Sequence, residues 1–338
     1  MKKSIRSLSI SRREFLQKTG SAAVGLGVMG FPGIVHSKTN MKVGYLPILD
    51  HLTLMVSHAR EGSSFRSVDI EPKMFKSWRM VTGALKGGVL DAAFLLSNLA
   101  MDQFAKGADI RSVLVGHRNG SGITVKKDSP IKSASDLKGR KIGIPAKIST
   151  HTALLDKYLR SVDLSLKDVK TSVIAPPNMV IALDIGSIDA FIVAEPFCAK
   201  AEMDGVGKTL TLSKDILDNH ICCVVVVRNE VLREDPQSVQ EWVASLNRNG
   251  KFIDQDKAEN GGKTVARLVG KYLKFDEQVI MAGMTNPNDR ITYSDLNPRL
   301  ADYQTILDAS RVAGITGTIA LEDFIDDSLY KNIEHESG

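Results

Sequence analysis

Short apolar runs alternate with helical patterns along this sequence, and the alternation restarts once along the chain. In the first block the runs KVGYLPIL, VDIEPKMF and LDAAFLL each precede a helix-like stretch. In the second block the predicted strands and helices are 141–145, 149–161, 169–174, 178–185, 188–193 and 197–203 in chain order. Such alternation indicates a mainly parallel sheet covered by helices.

The restart predicts two lobes, and 338 residues are enough for a core in each. The fold class that we expect is α/β, with each lobe a mainly parallel sheet flanked by helices. Residues 38–128 and 220–338 are assigned to lobe 1, whose last part reads as a helical tail, and residues 129–219 to lobe 2. Two hinge strands, near 126–135 and 217–223, would join the lobes and allow them to close over a ligand.

Residues 1–37 differ from the rest of the chain in charge. They carry six of the 44 basic residues and one of the 39 acidic ones, so the remainder is formally neutral and no nucleic-acid partner is expected. The pair Arg12-Arg13 precedes a glycine-rich apolar stretch that is too short to span a bilayer. The segment resembles a bacterial twin-arginine export signal cleaved after Ser37, which implies the twin-arginine export machinery and a periplasmic mature protein.

The cysteines and the known catalytic motifs give no support for a metal centre or an enzyme. Cys198, Cys222 and Cys223 match no metal-binding spacing, and the run ICCVVVV reads as a buried strand. The sequence has no G-x-S-x-G, P-loop or H-E-x-x-H motif. We therefore expect a protein without catalytic activity, cofactor or metal.

Polar or aromatic residues follow six of the predicted strands, at the ends where open parallel sheets bind ligands. Unpaired backbone N–H groups at the starts of the following helices suit an anion there. The candidate ligand-binding residues are Asp50, His51, Trp78, Ser97, Ser149, Thr150, His151, Pro177 and Glu195. Singly, each has a structural alternative: the hydroxyls as helix caps, the proline as a helix start, the histidines as hydrogen-bonded interior groups and the indole as core.

Three stretches resemble a known family. They are SW…VTGALKGGVLDAAFLL, KIGIPAKISTHTALLDKYL and VIAPPNMVIALDIGSIDAFIVAEPFCAKAEMDGVGK. The chain is similar there to the solute-binding proteins of nitrate and bicarbonate ABC importers, and more loosely to taurine, alkanesulfonate and thiamine-precursor binders. This resemblance implies a two-lobed periplasmic binding protein of the second structural type. Its partners would be a permease and a cytoplasmic ATPase. Trp78 matches the tryptophan that lines the family's anion pocket, His151 matches the histidine of its S-T-H element, and Glu195 matches the glutamate of its E-P motif.

One departure from the family pattern leaves the ligand open. The nitrate and bicarbonate binders have an anion-neutralising lysine where this chain has SKDILDNHICC, with Asp218 near the lysine position and Lys214 about one turn earlier. We expect a monomer that binds a nitrate-like oxoanion, a sulfonate or an organic acid. The alternatives are a sensory module for a membrane receptor and a binder of a heterocycle resembling a thiamine precursor.

Overall fold

The computed structural model describes residues 38–337. The predicted export signal and its cleavage site lie outside the described residues. Two five-stranded sheets dominate the fold, and a two-stranded ribbon stands beside them. The strands are β1 Thr39–Tyr45, β2 Val68–Met74, β3 Ala92–Leu96, β4 Ile110–Val115, β5 Arg118–Asn119, β6 Ser121–Lys126, β7 Lys141–Ile144, β8 Lys170–Val173, β9 Ala190–Ala194, β10 Gly207–Leu212, β11 Cys223–Arg228 and β12 Ile291–Thr292.

Helices connect the strands and make up most of the chain after β11. They are α1 Leu52–Glu61, α2 Trp78–Lys86, α3 Ser97–Ala105, α4 Thr150–Arg160, α5 Pro176–Asp184, α6 Phe197–Met203, α7 Ser213–Ile216, α8 Asn229–Glu234, α9 Pro236–Asn260, α10 Lys263–Leu273, α11 Glu277–Thr285, α12 Leu300–Val312, α13 Leu321–Phe324 and α14 Ser328–Ser337. None of the helices between residues 38 and 337 is long and apolar enough to cross a membrane.

Each sheet contains one strand that runs against the other four. The strand orders are β2-β1-β3-β11-β4 in the first sheet and β10-β6-β9-β7-β8 in the second. β11 is antiparallel to β3 and β4, and β6 is antiparallel to β9 and β10. The chain enters both of these strands from the other sheet through a short passage. They therefore do not need the crossover connection that joins parallel neighbours within one sheet.

The predicted fold class is confirmed: the structure is α/β, its two sheets are mainly parallel, and the helical tail follows β11. The chain passes between the sheets at residues 116–120 and 213–222. The first passage therefore precedes the hinge predicted near 126–135, because β6 belongs to the second sheet. The assignment of residues to lobes stays a prediction.

Alternating side chains of β9 show how the second sheet is covered on both faces. Phe191 and Val193 belong to the larger apolar cluster, which also contains the first sheet, whereas Ala190 and Ile192 belong to the smaller one. Every residue of β9 is buried, as expected for an inner strand with helices on both faces. The polar residues that follow such strands are therefore held in the interior.

Candidate functional site

Polar side chains from both sheets meet in the interior of the protein, and each of them is at most 2% exposed. We call this group the central cluster. Its members are Asp50, His51, Trp78, Ser97, Asn98, His117, Ser121, Thr150, His151, Cys222 and Cys223. Six of the nine predicted ligand-binding residues belong to it, and whether they bind a ligand stays a prediction.

Asp50 and His117 form a buried ion pair at the centre of the cluster. His117 Nε2 lies 3.2 Å from Asp50 Oδ2. Burial alone would lower the pKa of His117, but the Asp50 carboxylate outweighs it and raises this pKa to about 10. Burial raises the pKa of Asp50, and its contacts with His117 reverse this, so the pKa is below its usual value. The contact thus favours the charged forms of both groups, whose charges cancel each other.

His51 is neutral and presents an N–H to the cluster. Burial lowers its pKa to about 3. The backbone N–H of Leu46 points at His51 Nδ1 from 2.9 Å and can only donate, while the Leu46 carbonyl oxygen lies 3.2 Å from the same nitrogen. A hydrogen on Nδ1 would stand against that N–H, so Nδ1 accepts and the ring hydrogen is on Nε2. The ring packs edge-on against Trp78 at a centroid distance of 5.5 Å. Neither His51 Nε2 nor Trp78 Nε1 has a hydrogen-bond partner in the part of the chain that the structure describes.

Thr150 connects the elements of the two sheets. It is the first residue of α4, which follows β7, and its hydroxyl lies 3.1 Å from Ser97 Oγ at the start of α3. The same hydroxyl lies 3.2 Å from Asn98 Oδ1 and 3.3 Å from the carbonyl oxygen of Cys222. The strand ends of both sheets are thus joined by direct hydrogen bonds between side chains.

The neighbours of Thr150 have different contacts. Ser149 caps α4: its Oγ accepts the backbone N–H of Thr152 at 3.1 Å and lies 2.9 Å from the carbonyl oxygen of Ala146. This is the cap alternative that the sequence left open. His151 Nε2 lies 2.9 Å from Oγ of Ser121, the first residue of β6, and His151 Nδ1 has no partner among the described residues.

Glu195 is buried and paired with an arginine that the sequence analysis did not single out. Arg290 Nε lies 2.6 Å from Glu195 Oε1, and Glu195 Oε2 accepts the backbone N–H of Ala199 at 3.1 Å. Burial raises the pKa of Glu195, and Arg290 opposes that rise. The carboxylate is therefore held by contacts of the protein itself.

Three other residues of the sequence analysis lie outside the central cluster. Pro177 is exposed and lines a surface groove together with Met74 and Phe275. Asp218 is exposed, and Lys214 pairs with Asp289 at 3.1 Å. Neither residue near the family's lysine position supplies a cation to the cluster.

Four members of the central cluster are also not predicted from the sequence, namely His117, Ser121 and the adjacent cysteines Cys222 and Cys223. His117 follows the run RSVLVG, so the rule applied to the other strand ends could have found it. Cys222 precedes β11 and Cys223 begins it, which places both at the same edge of the first sheet as the ends of β1 and β3. Arg290 lies in an irregular segment between α11 and β12 and left no signal in the sequence.

A comparison with protein families decides the relationship of the chain: the model of the NMT1-like family matches residues 36–269. The chain belongs to the NMT1-like family. Among the curated relatives of this NMT1-like protein is the bicarbonate transport ATP-binding protein CmpC of Synechocystis, 28% identical over 229 residues. That match covers 62% of this chain and 34% of CmpC. The chain thus spans about a third of the length of this relative.

Solved structures show the same fold. The ligand-binding component of an ABC-type import system from Staphylococcus aureus, solved with zinc bound, is 27% identical with a TM-score of 0.80, and the match covers 88% of this chain and 99% of that one. The periplasmic nitrate-binding protein NrtA from Synechocystis is 16% identical with a TM-score of 0.79, over 89% of each chain. The chain therefore resembles the substrate-binding components of ABC importers.

The fold is not confined to binding proteins. The desulfurization enzyme DszB is 16% identical with a TM-score of 0.63, and the match covers 89% of this chain and 100% of DszB. Fold alone does not distinguish binding from catalysis. Whether this chain binds or catalyses therefore depends on the chemistry of the central cluster.

Proposed function

We propose that this protein is the substrate-binding component of an ABC importer and captures a small oxygen-bearing anion between its two sheets, without catalysis. Nitrate, bicarbonate, a sulfonate or a small carboxylate has the required chemistry. A leader of the twin-arginine type would export the protein to the periplasm, where it would act as a monomer and deliver the solute to a permease with a cytoplasmic ATPase.

Three buried N–H groups of the central cluster have no acceptor among residues 38–337, and this observation carries the proposal. They are Trp78 Nε1, His51 Nε2 and His117 Nδ1. His117 carries a hydrogen on Nδ1 whether it is charged or its Nε2 accepts the backbone N–H of Cys223, 3.2 Å away. A buried polar group without a partner costs about 1–3 kcal/mol, so three donors in one cluster favour a ligand rich in acceptor oxygens.

The charge of the site favours a small anion held by hydrogen bonds and not by a dedicated cation. Asp50 balances His117, and Glu195 balances Arg290. Neutral donors still bind oxoanions when several of them converge in an interior of low dielectric. Such a site would distinguish anions by shape and by the number of their oxygens.

Removal of a single donor tests the proposal. In Trp78→Phe the aromatic ring stays and only the Nε1 hydrogen-bond donor is lost. Trp242→Phe in α9 is the matched control, because Trp242 is also buried with an unpartnered Nε1 but is not part of the central cluster. Affinities for nitrate, bicarbonate, methanesulfonate and acetate would be measured by titration calorimetry.

We expect at least one of these anions to bind, with Trp78→Phe weakening it about tenfold or more and Trp242→Phe leaving it unchanged. Two results would refute the proposal. One is that the wild-type protein binds none of the four anions, and the other is that both tryptophan variants lose affinity equally.

A further inference from the structure

Four potential metal ligands converge inside the central cluster. They are Asp50, His117, Cys222 and Cys223, and one donor atom from each lies within 4.8 Å of the other three. All four side chains are fully buried. We propose that these residues bind one divalent transition-metal ion of the zinc class, independently of which anion the protein captures.

The distances fit a tetrahedral site with little rearrangement. Asp50 Oδ2 lies 3.2 Å from His117 Nε2, 3.4 Å from Cys223 Sγ and 3.8 Å from Cys222 Sγ. Zinc bonds of about 2.0–2.3 Å in a tetrahedron place neighbouring donor atoms about 3.3–3.8 Å apart. The carboxylate oxygen is therefore already at ligand-to-ligand distance from the other three donors.

The convergence of two consecutive cysteines is unusual for strand-like backbone. In a regular strand, neighbouring side chains point to opposite faces. Cys222 precedes β11 and Cys223 is its first residue. The irregular backbone before the strand lets both thiols approach the same oxygen of Asp50, which gives the site two sulfur donors from one short segment.

The types of donor indicate the class of ion. Thiolate and imidazole ligands select zinc-like ions over Mg²⁺ and Ca²⁺, which prefer oxygen ligands. Binding would form bonds from the ion to two thiolates, one imidazole nitrogen and one carboxylate oxygen, and would release the two thiol protons and the Nε2 proton of His117. No oxidation or reduction is involved.

The position of the ligands gives the ion a structural consequence. His117 lies in the first passage between the sheets, and Cys222 ends the second. The two passages already touch, since Asn119 donates its backbone N–H to the carbonyl oxygen of His220 at 2.9 Å. An ion held by His117 and Cys222 would tie the two passages together and so restrain movement of one sheet against the other.

The test uses the full mature protein after treatment with a chelator, with one equivalent of Zn²⁺ added and excess removed by desalting. Native mass spectrometry should show one retained ion in the wild type and in Cys198→Ser. Cys198 is the matched control because it is also buried and free, and its thiol lies 3.6 Å from the carbonyl oxygens of Gly122 and Val193. Cys222→Ser and Cys223→Ser should retain none while their circular dichroism stays native.

A second measurement needs no variant. Co²⁺ bound to thiolate ligands gives an intense charge-transfer band in the near ultraviolet, and we expect this band on titration of the wild-type protein to one equivalent. The proposal is overturned if the band is absent. Failure of the wild type to retain Zn²⁺, or equal retention in both serine variants and the wild type, overturns it as well.

Discussion

At the residue scale, three consecutive side chains at the start of α4 have three different roles. The Ser149 hydroxyl caps the helix, the Thr150 hydroxyl reaches the start of α3, and His151 contacts Ser121 at the start of β6. One element of sequence thus supplies a local contact and two contacts to other parts of the chain.

Substitutions at Ser149 and Thr150 should separate these roles. Ser149→Ala removes the cap and should lower the free energy of unfolding by about 0.5–2 kcal/mol without changing anion affinity. Thr150→Val leaves the buried Ser97 Oγ and Asn98 Oδ1 without this partner, so it should weaken anion binding as well as stability. Denaturant unfolding and calorimetric titration measure the two effects. Equal loss of affinity in both variants would contradict the assignment.

A histidine outside the central cluster gives a prediction for the pH dependence of stability. His58 of α1 lies with its Nδ1 2.6 Å from the hydroxyl of Tyr272 in α10. Burial and the nearby Lys271 lower the pKa of His58. The unfolded chain therefore binds a proton more readily than the native protein, and stability should fall as pH falls below the usual histidine value of about 6.5.

His58→Gln keeps an acceptor for Tyr272 and removes the titrating group. The variant should lose less stability than the wild type between about pH 7 and pH 5. Denaturant unfolding at several pH values measures the difference, and the remaining histidines contribute equally to both proteins. Identical slopes in the two proteins would show that His58 does not titrate as described.

At the element scale, the long helix α9 is joined to α1 by a polar network around Glu61, in addition to the apolar residues that both helices contribute to the larger apolar cluster. Glu61 Oε2 accepts hydrogen bonds from Ser245 and Arg248, both at 2.7 Å, and Glu61 Oε1 accepts one from Asn249 at 2.8 Å. Together with Ser57 Oγ, which lies 2.8 Å from Ser245 Oγ, these contacts fix the position of α9 against the first sheet's helices. The helical tail is therefore part of the structure that supports the cluster.

A glycine in the middle of α9 permits a close approach of backbone. A Cβ on Gly250 would lie 2.2 Å from the carbonyl oxygen of Tyr293, whereas one on Gly270 of α10 would meet nothing within 4 Å. Gly250→Ala should therefore destabilise the protein by about 1–3 kcal/mol in spite of alanine's higher helix propensity. Gly270→Ala should stabilise it by about 0.5–1 kcal/mol.

Thermal or denaturant unfolding of both alanine variants measures this contrast. The opposite signs are the essential result, because both substitutions make the same chemical change inside a helix. A stabilising effect of Gly250→Ala would mean that the segment around Tyr293 does not pack against α9 as described.

The sequence predicts elements better than it predicts their partners. Periodicity and apolar runs predict α4, α5 and α6 to within two residues, because each helix carries its own pattern. Pairing between distant segments leaves no such pattern: Arg290 joins Glu195 across 95 positions, and β6 reads as a strand without revealing its sheet. For the same reason the hinge predicted near 126–135 lies after the observed first passage at 116–120.

At the scale of the whole molecule, burial of the cluster has a consequence for binding. Trp78 and the other cluster residues are at most 2% exposed, so a solute can reach them only when the two sheets move apart. Two short passages, 116–120 and 213–222, connect the sheets and can absorb such a movement without disrupting either core. If the protein captures its solute as proposed, this structure is its closed form.

Small-angle X-ray scattering can detect the proposed closure of the two sheets around an anion. The radius of gyration would be measured for the mature protein without ligand and with a saturating concentration of an anion that binds in calorimetry. We predict a smaller radius with the anion. The donors Trp78, His51 and His117 follow strands of the first sheet, and an anion that also contacts Thr150 and His151 at the second sheet would hold the two sheets together. An unchanged scattering profile at saturation would contradict capture between the two sheets.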